Sequence, residues 1–460
     1  MADYLLPEGM TAEGAVRAIA AELTVRNGRL GSIQRAYYDT FDGLLHASGL
    51  TGVWENGWLS LIEREGGRSR GRAQVPKPTR PLFAWDLPAV GLGEVLRQLI
   101  DVRALLLLTE IRTRERALDV LDGEGKTIVR LRVQEPAAGR QVLRGRVQVA
   151  GVRGYDRARS RVTGALATKL GFDAAGPVLD EALLSQGKDP AGHPTKIAVR
   201  LTPTESTEAA AALVLLALLG VIENNLPGAI ADLDSEFLHD LRVAVRRSRA
   251  VQREFRAAFP PDELARFRAE FRWLQQATGE TRDLDVYMLE FGQMQALLPE
   301  SARADLEPLH RVLSGHRQRA RRRMVRALRS PRTHDLLEDW RRFLEQVTKR
   351  SADGRPEATA PIVPAAGRRI RKVYRRMVRM GDAIGPLSPS TDYHELRKQG
   401  KELRYLLELF GTSLYPAEVV GQLVKLLKSL QDVLGRHQDR EIQVETLRLL
   451  GPEVAAVSEG

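Results

Sequence analysis

The 460-residue sequence is 43% hydrophobic, contains no cysteine and carries a net charge of +11, with a pI of about 10.0. Those values exclude disulfides, thiolate metal sites and cysteine nucleophiles, and they favour a polyanionic partner. The excess is +6 over residues 1–200 and +5 beyond, so the placement of charges on each element must carry any such argument.

In chain order, the opening MADYLLPEGMTAEGAVRAIA lacks a basic region followed by an apolar core, so no signal peptide is expected. Residues 1–185 mix strand-like runs (LSLIER, IVRLRVQ, RGRVQVAGV) with helical patterns at GLGEVLRQLID and RSRVTGALATKLG, which predicts an α+β domain. DGEGK, Asp122 to Lys126, reads as a hairpin turn. Arg112, Arg114 and Arg116 alternate as they would on one strand face, which suits either an anion site or a solvated sheet. Pro- and Gly-containing SQGKDPAGHPTK and the following TPTEST predict a linker over 186–207.

An all-α domain is predicted over 208–450, broken at 352–364 and 385–390. Its apolar run AAAALVLLALLGVI, from Ala209, is short for a bilayer and reads as a buried bundle helix, so no membrane partner is expected. In the next helix, FLHDLRVAVRRSRAVQREF (237–255), Leu241, Val245, Val251 and Phe255 form a core stripe with Ala244 and Ser248 between them. Glu236, Asp240, Arg247 and Glu254 mark the side expected to face solvent. His239, Arg242, Arg246, Arg249 and Arg253 share a third arc of roughly 80° with no acid in it. A solvated face is the ordinary reading of such an arc. Further on, Arg-rich HRQRARRRMVRALRSPR (316–332) could contact nucleic-acid phosphates, but aromatics are only 5% of the chain and no groove-reading motif is present.

The arc recurs. HDLRVAVRRSRAVQREF at His239 aligns with HELRKQGKELRYLLELF at His394, and RWLQQATGETRD at Arg272 aligns with KSLQDVLGRHQD at Lys428, at offsets of 155 and 156. His394, Arg397, Lys401 and Arg404 again share a face, with Glu408 in place of the base at Arg253. A duplicated bundle follows, with repeat 1 near 208–350 and repeat 2 near 365–450. Repetition, with acids segregated elsewhere, favours a site over a solvated face. The Leu-Gln-x3-Gly segment reads as structural: its Gly permits close helix approach, Gln275 and Gln431 could tie a buried backbone group, and Asp283 and Asp439 could orient arginines.

These two blocks resemble the CHAD family, the conserved histidine α-helical domain. The resemblance implies two four-helix bundles about a pseudo-dyad, a basic pore between them, binding of inorganic polyphosphate and association with polyphosphate granules in the cytoplasm. The residues expected to bind are His239, Arg242, Arg246, Arg249, Arg253, Arg272, His394, Arg397, Lys401, Arg404 and Lys428. Polyphosphate offers a row of charges without bases, which suits a fixed track of Arg and Lys.

AYYDTFDGLLHASGL, Ala36 to Leu50, resembles the CYTH or triphosphate tunnel metalloenzyme family, an antiparallel barrel in which basic residues hold a triphosphate and glutamates hold Mg²⁺ or Mn²⁺. Its functional positions depart from the pattern: Val53, Glu55 and Ile62 stand near expected basic residues, and Arg130, Arg132, Arg144 and Arg146 stand where acids are expected. A degenerate barrel without metal, cofactor or catalysis is therefore expected. The rival functions are a metal-dependent inorganic triphosphatase in the barrel and nucleic-acid binding by the helical half. His239 and His394, set among arginines, are not expected to bind metal.

Overall fold

The structure is a computed structural model that describes residues 2–347, 349 and 354–458; side chains at 436–445, 447, 457 and 458 fall outside that description. The chain divides into two units, Met1–Pro194 and Thr195–Gly460. This division falls inside the stretch read as a linker, so residues 195–207 belong with the helices.

The first unit contains β1 (Ala2–Leu5), α1 (Ala12–Glu22), β2 (Val25–Asp39), α2 (Leu44–Ala47), β3 (Leu50–Glu55), β4 (Trp58–Glu63), β5 (Ser69–Gln74) and β6 (Leu82–Phe83). It continues with α3 (Leu92–Ile100), β7 (Ala104–Leu121), β8 (Thr127–Ala138), β9 (Gln141–Val142), β10 (Arg146–Gly151), α4 (Asp156–Thr168), β11 (Asp173–Ala174) and α5 (Val178–Ser185). All strand pairs are antiparallel, in the order β11-β1-β10-β8-β7-β2-β3-β4-β5, with β6 on β7 and β9 on β8. The predicted fold class is an α+β barrel domain followed by helices, and the structure has an antiparallel sheet followed by a helical unit. DGEGK makes the β7–β8 turn: Asp122 Oδ1 accepts from the amides of Glu124 (3.0 Å) and Lys126 (2.9 Å), and Gly125 takes φ +78°. Leu118, Leu131, Val133 and Val147 pack with Ile19 of α1 and Val162 of α4. On the other sheet face Tyr37, Val53, Ile111 and Ala138 pack with Leu179, Ala182 and Leu183 of α5.

The second unit contains α6 (Thr207–Ala231), α7 (Ser235–Glu254), α8 (Pro261–Ala277), α9 (Gly279–Ala296), α10 (Glu307–Leu328) and α11 (Pro331–Val347). After these come α12 (Pro356–Thr359), α13 (Ile362–Asp382), α14 (Ser390–Leu406), a π-turn over Leu407–Gly411, α15 (Thr412–Leu414) and α16 (Ala417–Ser458). Within the predicted break at 352–364, residues 352 and 353 lie outside the described residues. α6 is apolar nearly all round, and it is the one described helix long and apolar enough to cross a membrane. Ala211, Leu215, Leu218, Leu219 and Ile222 are buried in the bundle, as expected of a core helix. Asp234 starts α7 by accepting from the amides of Glu236 and Phe237. A Cβ at Gly228 would fall 2.1 Å from the Phe237 ring, so only glycine allows α6 and α7 to pack this closely.

The repeat is a structural pseudo-dyad. Equivalent residues touch one another: the Phe255 and Phe410 rings lie 4.6 Å apart, and Ser206 bridges Pro361. Reciprocal pairs flank these contacts. Thr207 N donates to Ala360 O (2.8 Å) while Ile362 N donates to Glu205 O (2.9 Å). Arg247 pairs with Glu408 while Arg253 pairs with Glu402. Each relation holds at the 155-residue offset and has the reciprocity of a two-fold contact. In the second copy the counterparts of α8 and α9 run on as one 42-residue helix, α16.

Candidate anion-binding site

The two sequence blocks of each repeat meet in space. Arg242, 8% exposed, enters the α8–α9 junction, where Nη1 donates to the Gln275 carbonyl (2.8 Å) and the Thr278 hydroxyl (2.9 Å). The guanidinium lies beside Gly279, where a Cβ would stand at ordinary contact distance, 3.6 Å from Nη1. The second copy repeats the arrangement more tightly: a Cβ at Gly435 would lie 3.1 Å from Arg397 Nη2. The glycine thus receives a guanidinium from the neighbouring helix. Gln275 has a different role from the one expected, because its side-chain Oε1 accepts from Arg249 while its main-chain carbonyl serves Arg242. Gln431 is buried beside Gly400, with Nε2 unpartnered. Asp283 lies in the field of Arg242, Arg246 and Arg282. The Asp439 side chain lies outside that description.

Along α7 and α8 the arginines form a row. Burial, then Arg246 and Arg282, push the Arg242 pKa down to about 10, against the opposing pull of Asp283. Burial, then Arg272, Arg253 and Arg268, lower that of Arg249. Arg246 is half-buried, and its Nε has no hydrogen-bond partner. Like charges crowded in partial burial destabilise their own cationic forms, and an incoming anion relieves that stress. Arg268 is a member that the sequence reading missed, although its i,i+4 spacing to Arg272 was a usable signal.

One reading of α7 is corrected. Arg247 and Glu254 do not face solvent: their side chains are only 15% and 9% exposed, because the second copy packs against them. Arg247 lies over the Tyr405 ring and bonds Glu408, which also stands 3.6 Å from Arg404. The arc of α7 itself carries no acid, but Glu402 of α14 reaches its Arg253 with an Nε–Oε1 distance of 3.0 Å. Glu402 is buried near Glu254; burial first, and that neighbour, raise its pKa against the pull of Arg253.

The remaining expected residues divide into two groups. His239, Arg404 and Lys428 line a cavity of about 670 Å³ between α7 and α14, together with Arg247. His394, Arg397 and Lys401 stay on α14, with His394 Nδ1 buried and lacking a hydrogen-bond partner. In the Arg-rich run 316–332, four of the eight arginines pair with acids among the described residues: Arg317 with Asp232 and Asp285, Arg321 with Asp232, Arg323 with Glu280 and, in α11, Arg332 with Glu270.

In the first unit, Arg112 and Arg114 are exposed and alternate with buried Ile111 and Thr113. Arg146, 3% exposed, donates to Glu181 (2.6 Å) and the Gly176 carbonyl (3.1 Å). Glu55 is held by Arg35 at 2.6 Å, and Glu115 stands 3.7 Å from Arg132. Among the described residues no three His, Asp or Glu converge as metal ligands. These carboxylates, each beside an arginine, do not fit the glutamate set that the CYTH resemblance implies for Mg²⁺ or Mn²⁺.

Residues 213–448, just over half of the chain, match the CHAD domain family. The chain belongs to that family. Two uncharacterized proteins of Mycobacterium tuberculosis, Rv2226 of strain H37Rv and MT2285 of strain CDC 1551, are each 30% identical over 282 residues, 58% of this chain and 52% of theirs. The chain thus spans about half the length of these curated relatives. The crystal structure of the CHAD domain from the plant Ricinus communis is 23% identical, with a TM-score of 0.48, over 57% of this chain and 86% of that one. PptA from Streptomyces chartreusis gives 18% identity and a TM-score of 0.37 over 55% and 100%.

Proposed function

We propose that the CHAD unit binds inorganic polyphosphate without catalysis, and that the protein associates with polyphosphate granules in the cytoplasm. One observation carries this reading: Arg249, bonded to Gln275 Oε1, lies within the field of Arg253, Arg268 and Arg272, and a row of four cations favours an anion beside it. The family match supports the same reading, since CHAD domains are linked to polyphosphate. Polyphosphate fits better than nucleic acid because the row offers phosphate-type donors, and Arg317, Arg321 and Arg323 of α10 are already paired with acids. A triphosphatase reading of the first unit finds no support in its Arg-paired carboxylates.

The test is titration of the full chain with long-chain polyphosphate at several salt concentrations. Arg246→Glu with Arg272→Glu should weaken binding at least tenfold. The same change at exposed Arg322 and Arg326 of α10 should weaken it less than threefold, because charges beyond about 10 Å are screened at 0.1 M salt. Equal losses in folded variants would reduce the row to a solvated face. Arg242 is unsuited to this test, since its burial makes any substitution a folding test as well.

A further inference from the structure

Thr195 to Leu201, TKIAVRL, precedes the residues that match the family and has no regular secondary structure, yet it is fixed to the helical unit. Its side chains alternate. Ile197 and Val199 are half-buried and Leu201 is 6% exposed, while Lys196, Ala198 and Arg200 are exposed. The Ser413 hydroxyl donates to the Val199 carbonyl at 2.5 Å. A Thr202–Glu205 turn then leads into the Ser206 cap of α6.

This strap forms one wall of the cavity of about 670 Å³ between α7 and α14. The floor is apolar, made by Leu218, Val221, Val243 and Leu409. The rim carries Lys196, Arg200, His239, Arg247, Arg404 and Lys428, against two carboxylates, Asp240 and Glu408. Glu408 is committed to Arg247. Among the described residues no acid is paired with Lys196 or Arg200. Two cations held by a pinned backbone over a bounded basic cavity form a site of a different kind from the open arginine row, which can track a chain of any length.

We propose that the strap completes a second anion site, in which Lys196 and Arg200 bind a compact oligophosphate: a short chain, or the end of a long one. The proposal rests on the polyanion reading above and deepens it, because the cavity would add a preference for short chains and chain ends. Arg200 supplies a planar donor fork and Lys196 a mobile point charge, a suitable pair for a terminal phosphate with its extra charge.

The test compares full-length wild type, Lys196→Ala with Arg200→Ala, and Arg322→Ala with Arg326→Ala, by calorimetric titration with tripolyphosphate and with long-chain polyphosphate. The strap variant should lose at least tenfold in tripolyphosphate affinity but only two- to threefold for the long chain. Its tripolyphosphate affinity should also depend less steeply on salt than that of wild type, because two charged contacts are lost. The α10 variant should stay within twofold for both ligands. Both strap residues are exposed, and circular dichroism checks that the helices remain. Ser413→Ala, which unpins the strap without removing charge, should give an intermediate loss. Unchanged tripolyphosphate affinity in the strap variant, or no tripolyphosphate binding by a wild type that binds the long chain, overturns the second site alone. A wild type that binds neither ligand overturns the polyphosphate reading itself.

Discussion

Arg242 and Arg397 show what a single residue does in this repeat. Each lays a guanidinium over a glycine 37 or 38 positions further along the chain, so the two repeated blocks are halves of one contact. The two glycines should respond differently to substitution. At Gly279 the nearest guanidinium nitrogen would lie at ordinary van der Waals distance, 3.6 Å, and Gly279→Ala should be neutral or stabilising by about 0.5 kcal/mol, since alanine is the better helix former. At Gly435 the 3.1 Å approach obliges Arg397 to move, so Gly435→Ala should destabilise by about 1 kcal/mol despite the same propensity gain. Urea denaturation of both variants checks the order; the reverse order would mean that Arg397 yields freely. The residue types of this contact were legible from the repeat. Their partnership was not, because sequence spacing along one helix says nothing of which neighbouring helix a long side chain reaches.

At the scale of elements, α7 and α14 form a pseudo-symmetric pair whose charges have diverged. One copy has Arg247 and Arg253; the other has Glu402 and Glu408 at the same places. The acids hold the copies together and also compete with any polyanion for Arg253. Glu402→Gln should therefore raise polyphosphate affinity severalfold near neutral pH. The pH dependence has a definite sign. Because Glu402 has a folded pKa above its ordinary 4.5, the folded state retains a proton that the unfolded chain has lost between those values. The stability contributed by this carboxyl is present below 4.5 and declines as pH rises through the folded value. Thermal unfolding of Glu402→Gln should show a flatter profile over that window, and an unchanged profile would assign the pH dependence to other carboxyls. The basic arc, its period and its recurrence were readable from α7 and α14 alone. Their solvent-facing side was misread, because a helical wheel locates a second face without showing that another helix of the same chain covers it.

At the scale of the whole molecule, the helical unit begins at Thr195, not at the first helix. A fragment from residue 190 should keep full affinity for long-chain polyphosphate and for tripolyphosphate. One from residue 205 should keep most of the former and lose at least tenfold of the latter, since it lacks Lys196 and Arg200. Equal tripolyphosphate affinity in the two fragments would remove the strap from the site. The sequence by itself determined the strand-rich first unit, the β-turn at Asp122, the helical second unit, its duplication and the identity of most basic residues. Those features follow from periodicity, turn chemistry and self-similarity, which are local or internal to the chain. Tertiary structure alone decided that Phe255 meets Phe410, that Arg247 is interior, that His239, Arg404 and Lys428 leave the arginine row for a cavity, and that a stretch read as linker supplies a wall of it. The reason is physical: burial and charge pairing depend on which surfaces the pseudo-dyad brings together, and contacts between residues 149 to 161 positions apart leave no periodic trace in the sequence.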